Sequence, residues 1–110
     1  MNTILTHGVY RLRKGDNARK VAERVYGDQN KASVLLQANP EAWIEGDAIQ
    51  VPNKAGVATQ VRYDGQSPAE LIRTMFPEQP THIYLDKFYL WNGGQDEQLQ
   101  MGDLVFLPNR

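Results

Sequence analysis

The sequence predicts an α+β protein made of two tandem βααβ units, in each of which two strands pair and two helices cover one face of the pair. Three observations predict this: a helical spacing of apolar residues that occurs twice, an ending of Gly-Asp, a short apolar run and proline that occurs twice, and an alternating stretch that opens each copy. Such recurrence is typical of a repeated supersecondary unit. The predicted boundaries are 9–54 for unit 1 and 60–110 for unit 2, with an N-terminal arm at 1–8 and a linker at 55–59.

The first helix of each unit has apolar residues at positions i, i+3, i+4, i+7 and i+8, which lie on one helical face. They are Ala18, Val21, Ala22, Val25 and Tyr26 in unit 1, and Pro68, Leu71, Ile72, Met75 and Phe76 in unit 2. Start signals precede both helices. Ser67 with Pro68 and Glu70 forms a capping box with proline at the first helical position, and Asn17 is a good N-cap residue.

The two units also open and close alike. The alternating openings contain Tyr10 and Leu12 in unit 1 and Val61 and Tyr63 in unit 2. The endings GDAIQVPNK and GDLVFLPNR each predict a turn, a short strand and a proline that ends it. Second helices are predicted at residues 30–38 and 81–91. Unit 2 carries six extra residues, which divide about Asn39 and its counterpart Asn92.

Charge and cysteine content narrow the classes of function. The 12 basic residues nearly balance the 13 acidic ones, which argues against a nucleic acid as partner. Residues 1–24 carry six basic and two acidic groups, which fits either a solvated helix face or a subunit that docks head-to-tail or onto an acidic ring. Without cysteine, a disulfide framework and a thiolate zinc site are excluded. We expect no secretory signal, because the first ten residues lack a basic n-region and a long apolar h-region. We expect no membrane partner, because no apolar run approaches the roughly 20 residues of a membrane span.

Catalytic and metal-binding constellations are weak. His7 and His82 each lack the i, i+4 partner of a helical zinc site. The acid pairs that could in principle hydrolyse a glycoside are Glu41 with Glu45 and Asp96 with Glu97. Both pairs are predicted in loops, where no deep cleft would raise the pKa of an acid. We therefore expect no enzyme activity, no metal and no cofactor.

A set of residues with specific spacing runs through unit 1. It consists of Tyr10, Lys14-Gly15-Asp16, Val21-Ala22, Tyr26-Gly27-Asp28, Leu35-Leu36, Asn39-Pro40, Gly46 and Ile49-Gln50-Val51-Pro52. With this set, residues 9–54 resemble a LysM domain. Unit 2 resembles a diverged LysM unit that keeps Gly65, Ser67, Leu71-Ile72, Asn92, Gly102-Asp103 and Leu107-Pro108. The resemblance implies a two-stranded antiparallel sheet packed under two helices in each unit.

LysM domains typically bind N-acetylglucosamine polymers, such as peptidoglycan or chitin, in a shallow groove between two loops. Carried onto this chain, the groove would consist of Gly15, Asp16, Asn17 and Ala18 on one side and Asn39, Pro40, Glu41, Ala42, Trp43 and Ile44 on the other. Asn side chains and a Trp ring suit a neutral sugar with an acetamide group. The chain departs from the family pattern at Asn17 and Ala18, where Thr and Leu are usual, and at Gln66, where Asp is expected.

LysM units also serve as docking modules in the tails and baseplates of contractile phages and related injection machines. Three expectations favour that use. We expect no accompanying hydrolase and no export signal, and the aromatic residues that cluster in unit 2 are of the type that anchors interfaces. Those aromatic residues could instead fill the core of an enlarged unit. The candidate interface residues are Arg11, Arg13, Arg19, Tyr84, Phe88, Tyr89 and Trp91.

These features together predict a non-enzymatic structural adaptor of a phage tail or baseplate. It would be made in the cytoplasm of the host bacterium and reside in the virion. Its partners would be other tail or baseplate proteins and copies of itself in a ring, for which six copies fit the symmetry. A peptidoglycan-binding module is the alternative.

Overall fold

A computed structural model describes residues 2–41, 43–94 and 99–109. The protein has a mixed α+β fold, with four α-helices and two small antiparallel sheets in the described ranges. The elements are β1 (Thr3–Leu5), β2 (Gly8–Arg11), α1 (Ala18–Tyr26), α2 (Ala32–Ala38), β3 (Ala48–Val51), β4 (Gly56–Gln60), α3 (Pro68–Met75), α4 (Leu85–Trp91) and β5 (Leu104–Pro108). Short 3-10 turns at Gln29–Lys31 and Thr81–Tyr84 lead into α2 and α4. None of these helices is long and apolar enough to cross a membrane.

The predicted helix starts are confirmed. The Asn17 side chain accepts a hydrogen bond from the backbone N–H of Lys20 at 2.9 Å, and α1 begins at Ala18, directly after Asn17. The Ser67 hydroxyl accepts from the N–H of Glu70 at 3.2 Å, and Pro68 is the first residue of α3. These bonds satisfy donors that the first helical turn otherwise leaves unpaired.

The strands form two separate sheets. In one, β2 pairs antiparallel with β3; in the other, β4 pairs with both β1 and β5. The two sheets contact each other at β2 and β5, where the Arg11 guanidinium at the end of β2 donates to the carbonyl of Leu104 at the start of β5, at 3.3 Å.

The predicted linker and arm are corrected. Residues 56–60 are strand β4 rather than a linker, and within the arm Thr3–Leu5 form strand β1. The opening strand of the second half thus ends before Val61, and Tyr63 lies beyond it in an exposed bend. Gly56 is small for a packing reason: a Cβ there would lie 2.2 Å from the carbonyl oxygen of Leu107.

The core consists of two hydrophobic clusters, and the first of them contains residues from both halves of the chain. The first cluster consists of Tyr10, Leu12, Val21, Ala22, Val25, Leu35, Ile49, Val51, Ala58, Trp91 and Phe106. The second consists of Val61, Leu71, Ile72, Met75, Phe88, Leu99, Val105 and Leu107. Phe106 and Leu107 face opposite sides of β5, so this strand is buried on both faces, as its continuous apolar sequence requires. Trp91 and Phe106 bring residues of the second half into the core of the first.

Candidate docking surface and the predicted sugar groove

Asp16, in the first half of the predicted groove, is a structural residue. Its carboxylate accepts hydrogen bonds from the backbone N–H of Arg13 at 2.9 Å, the Tyr10 hydroxyl at 3.0 Å and the Arg24 guanidinium at 2.6 Å. The Asp16 side chain is only 2% exposed. These bonds tie the loop between β2 and α1 to both elements, so the carboxylate is not presented to a ligand.

The pKa values of Tyr10 and Arg24, which both bond to Asp16, are shifted. Burial raises the pKa of the Tyr10 hydroxyl, although the hydrogen bond from Arg24 acts in the opposite direction. Burial alone would lower the pKa of Arg24, but its hydrogen bonds with Tyr10 and Asp16 outweigh that effect and raise it. This group of three side chains is therefore most stable when the Tyr10 phenol is neutral and Arg24 is paired with Asp16.

We expect the protein to lose stability in alkali through Tyr10. Above the ordinary tyrosine pKa of about 10, the unfolded chain releases the phenol proton while the folded chain retains it, so the free energy of unfolding falls as pH rises. Tyr10→Phe should be less stable than wild type at pH 8 but should lose less stability between pH 9 and 11. Urea unfolding at each pH measures both slopes, and equal slopes would contradict the assignment.

The second half of the predicted groove also uses its polar atoms internally. The Asn39 side chain donates to the carbonyls of Leu35 and Gln50, at 3.0 and 2.7 Å, and accepts from the N–H of Gln50 at 2.9 Å. The indole N–H of Trp43 donates to the carbonyl of Asn39 at 3.1 Å. Asn39 holds the end of α2 against β3, and Trp43 bonds to Asn39, which caps the end of α2, so the Asn39 amide N–H groups and the Trp43 indole N–H are all engaged within the chain.

The two halves of the predicted groove border different depressions. Asn17 and Ala18 border one of about 390 Å³, together with Leu36 of α2. Asn39, Pro40, Glu41 and Trp43 border another of about 400 Å³, together with β3. Gly15 lies in a turn with positive φ, Ile44 is exposed, and Ala42 lies outside the described residues.

The aromatic part of the candidate interface is corrected. Phe88 and Trp91 are buried, because the inner face of α4 packs against β5 and both clusters of the core. Tyr84 and Tyr89 are half-buried against the second cluster, and the Tyr84 ring stacks on Phe76 with centroids 4.7 Å apart. Tyr84, Phe88 and Tyr89 therefore pack within the second half, as the alternative interpretation expected, whereas Trp91 packs in the first cluster.

Two of the three candidate interface arginines act within the chain. The Arg13 guanidinium donates to the carbonyls of Tyr89 and Leu90 in the last turn of α4, where a cation is favoured by unpaired carbonyls and the helix dipole. Arg11 donates to Leu104 and lies 3.8 Å from the Asp103 carboxylate. Arg19 is exposed on α1. Arg11 and Arg13 therefore fasten one half of the chain to the other, and reversing their charge would damage this joint before it tested docking.

An exposed apolar surface, which we name the turn end, lies where β3 and β5 begin. A turn with the same hydrogen bond precedes each of these strands: Asp47 N–H donates to the Ile44 carbonyl and Asp103 N–H donates to the Gln100 carbonyl, both at 3.0 Å. The exposed apolar side chains of the turn end are Ile44 at 59%, Met101 at 70% and Leu104 at 41%. Arg11, at the end of β2, lies 3.8 Å from the carboxylate of Asp103, the last residue of the second turn. A large apolar side chain in such a turn, beside the repeated Gly-Asp, is the signal that could have identified Met101 and Leu104.

No cluster of three or more His, Cys, Asp or Glu side chains suited to a metal ion occurs in the described ranges. Glu41 and Glu45 are exposed, whereas Asp96 and Glu97 lie outside those ranges. Comparisons of the chain with protein-family models, with curated proteins and with solved structures find no match.

Proposed function

We propose that the chain consists of two LysM-like units, β2-α1-α2-β3 and β4-α3-α4-β5, of which the second is diverged. Corresponding hydrogen bonds support this. Asn39 bonds to the N–H and carbonyl of Gln50, and Asn92 bonds to the N–H and carbonyl of Phe106, at 2.7–2.9 Å. Gln66 accepts from the N–H of Arg62 at 2.8 Å, as Asp16 accepts from Arg13.

The turns before the last strands correspond as well. The N–H of Gly46 donates to the carbonyl of Leu12, and the N–H of Gly102 donates to the carbonyl of Val61, both at 2.9 Å. Because Gln66 keeps the loop bond that Asp16 makes, its divergence from the family pattern is compatible with the same loop fold.

We propose that the protein is a non-enzymatic structural adaptor of a phage tail or baseplate, carried in the virion after synthesis in the host cytoplasm, and that it docks other tail subunits through the turn end. One observation carries this proposal: the polar side chains expected to bind sugar are hydrogen-bonded to the chain itself, while Ile44, Met101 and Leu104 are exposed. Apolar anchors beside a charged pair are typical of protein interfaces.

The test is incorporation into assembled tails. We expect Ile44→Glu with Leu104→Glu to fold normally, because surface substitutions change stability by only about 0.5 kcal/mol, yet to be missing from purified particles. The matched control is Leu36→Glu with Ile83→Glu, which places the same charges on aliphatic positions of similar exposure away from the turn end. Equal incorporation of the two variants would contradict docking through the turn end.

Peptidoglycan binding is the second candidate, favoured by the depression that Pro40, Trp43 and β3 border. The adaptor proposal predicts no saturable heat of binding when the protein is titrated with N-acetylglucosamine oligomers to millimolar concentration, and no retention on purified cell wall. Binding that strengthens with oligomer length and is lost in Trp43→Ala would favour the wall-binding function instead.

A further inference from the structure

The N-terminal strand is held by the far half of the molecule. Only Thr6 and His7 separate β1 from β2, yet β1 pairs with β4 while β2 pairs with β3. The chain therefore crosses from one sheet to the other within two residues. This places β1 at the outer edge of the three-stranded sheet.

Edge contacts, rather than burial, hold β1 in place. β1 and β4 are antiparallel, and the residues that lie opposite each other are Thr3 and Ala58, Ile4 and Val57, and Leu5 and Gly56. The Asn2 side chain donates to the carbonyl of Thr74 at the end of α3, at 2.7 Å. Ile4 is 84% exposed, Thr3 is exposed, and only Leu5 packs partly against the core. Release of β1 would uncover little apolar surface but would open the edge of β4.

We propose that β1 is exchanged between two copies of this chain, so that the arm of each copy pairs with β4 of the other in the register seen here. The second copy offers the same Gly56–Ala58 edge, so every ladder bond is reproduced between chains. An open β4 edge would template uncontrolled pairing, and reciprocal exchange covers both edges at once. This inference concerns a surface away from the turn end and does not rest on the proposed function.

The short connection fixes the geometry of the exchanged pair. From Leu5 to Gly8 the extended backbone spans only about 10 Å. An arm that reaches a second copy therefore brings the two molecules into direct contact along their β1–β4 edges. Ile4, which is exposed in one copy, would then lie at the contact between the two.

Disulfide trapping tests the exchange, because the natural chain has no cysteine. Chains with Ile4→Cys and chains with Val57→Cys are mixed, unfolded and refolded together at high concentration, and oxidised. These positions lie directly opposite in the register, within reach of a disulfide after small adjustment. The control mixes Ile4→Cys with Leu36→Cys, whose cysteine would be exposed on α2 instead.

We expect mixed disulfide dimers of the Ile4→Cys and Val57→Cys chains in several-fold excess over the control. We also expect wild type to form dimers as its concentration rises in light scattering, whereas the double variant Ile4→Cys/Val57→Cys, oxidised at low concentration, stays monomeric because its arm is locked in its own chain. A yield equal to the control, or a wild type that stays monomeric at every concentration, would overturn the proposal.

Discussion

Replacing Trp91 by alanine is expected to lower the free energy of unfolding by about 3–5 kcal/mol, the usual cost of truncating a buried tryptophan. Trp91 ends α4 in the second half of the chain, but its ring lies in the first cluster, with centroids 6.2 Å from Tyr10 and 5.0 Å from Phe106. The cavity would therefore open at the joint between the halves. Urea unfolding measures the loss, and Tyr89→Ala, at a half-buried neighbour, is the control and should cost less.

A companion variant checks that the cost arises at this joint. A Cβ on Gly8 would lie 2.7 Å from Cζ3 and 3.0 Å from Cη2 of Trp91, so Gly8→Ala alone overpacks the site and should cost about 1–3 kcal/mol. Trp91→Phe removes both of those atoms. In that background Gly8→Ala should cost less, which a double-mutant cycle detects as a coupling energy. Additive costs would mean that the two residues do not oppose each other.

The features predicted well from the sequence are local ones. Asn17 and Ser67 each cap a helix through a hydrogen bond that reaches three residues along the chain. The repeated Gly-Asp endings form turns with the same bonds for the same reason. Residue types and their spacing are sufficient for such features, because all the partners lie within the motif itself.

The features that escaped prediction depend on partners far along the chain. Gly56 and Ala58 indicate a flexible linker when only their neighbours are considered, since both residue types are depleted in strands. They form β4 because β5 and β1 pair with it, and because Phe106 fills the space that larger side chains would take. The charge of Arg13 was interpreted as part of a docking surface because its partners also lie far along the chain. Its partners are backbone carbonyls at Tyr89 and Leu90, which no side-chain pattern encodes.

Replacing Asn92 by alanine is expected to lower the free energy of unfolding by about 3 kcal/mol, because two buried backbone groups would lose their partner at about 1–3 kcal/mol each. The Asn92 side chain accepts from the N–H of Phe106 and donates to its carbonyl, both at 2.9 Å, and donates also to the carbonyl of Phe88. The Asn92 amide thus makes the two hydrogen bonds to Phe106 that the backbone of a further strand would make at this edge of β5. Urea unfolding measures the cost, and Asn92→Asp should also destabilise the protein because it loses the donor.

Asn39→Ala is the matched control, since Asn39 makes the same three bonds to Leu35 and Gln50. Gln50 is exposed, whereas Phe106 is fully buried. Water can replace the lost amide at β3 but not at β5, so Asn39→Ala should cost about 1 kcal/mol, the net value of an ordinary hydrogen bond. The difference between the two variants isolates desolvation, because geometry and bond number are the same. Equal costs would mean that the bonds themselves, rather than the burial of the groups they satisfy, determine the stability of both strand edges.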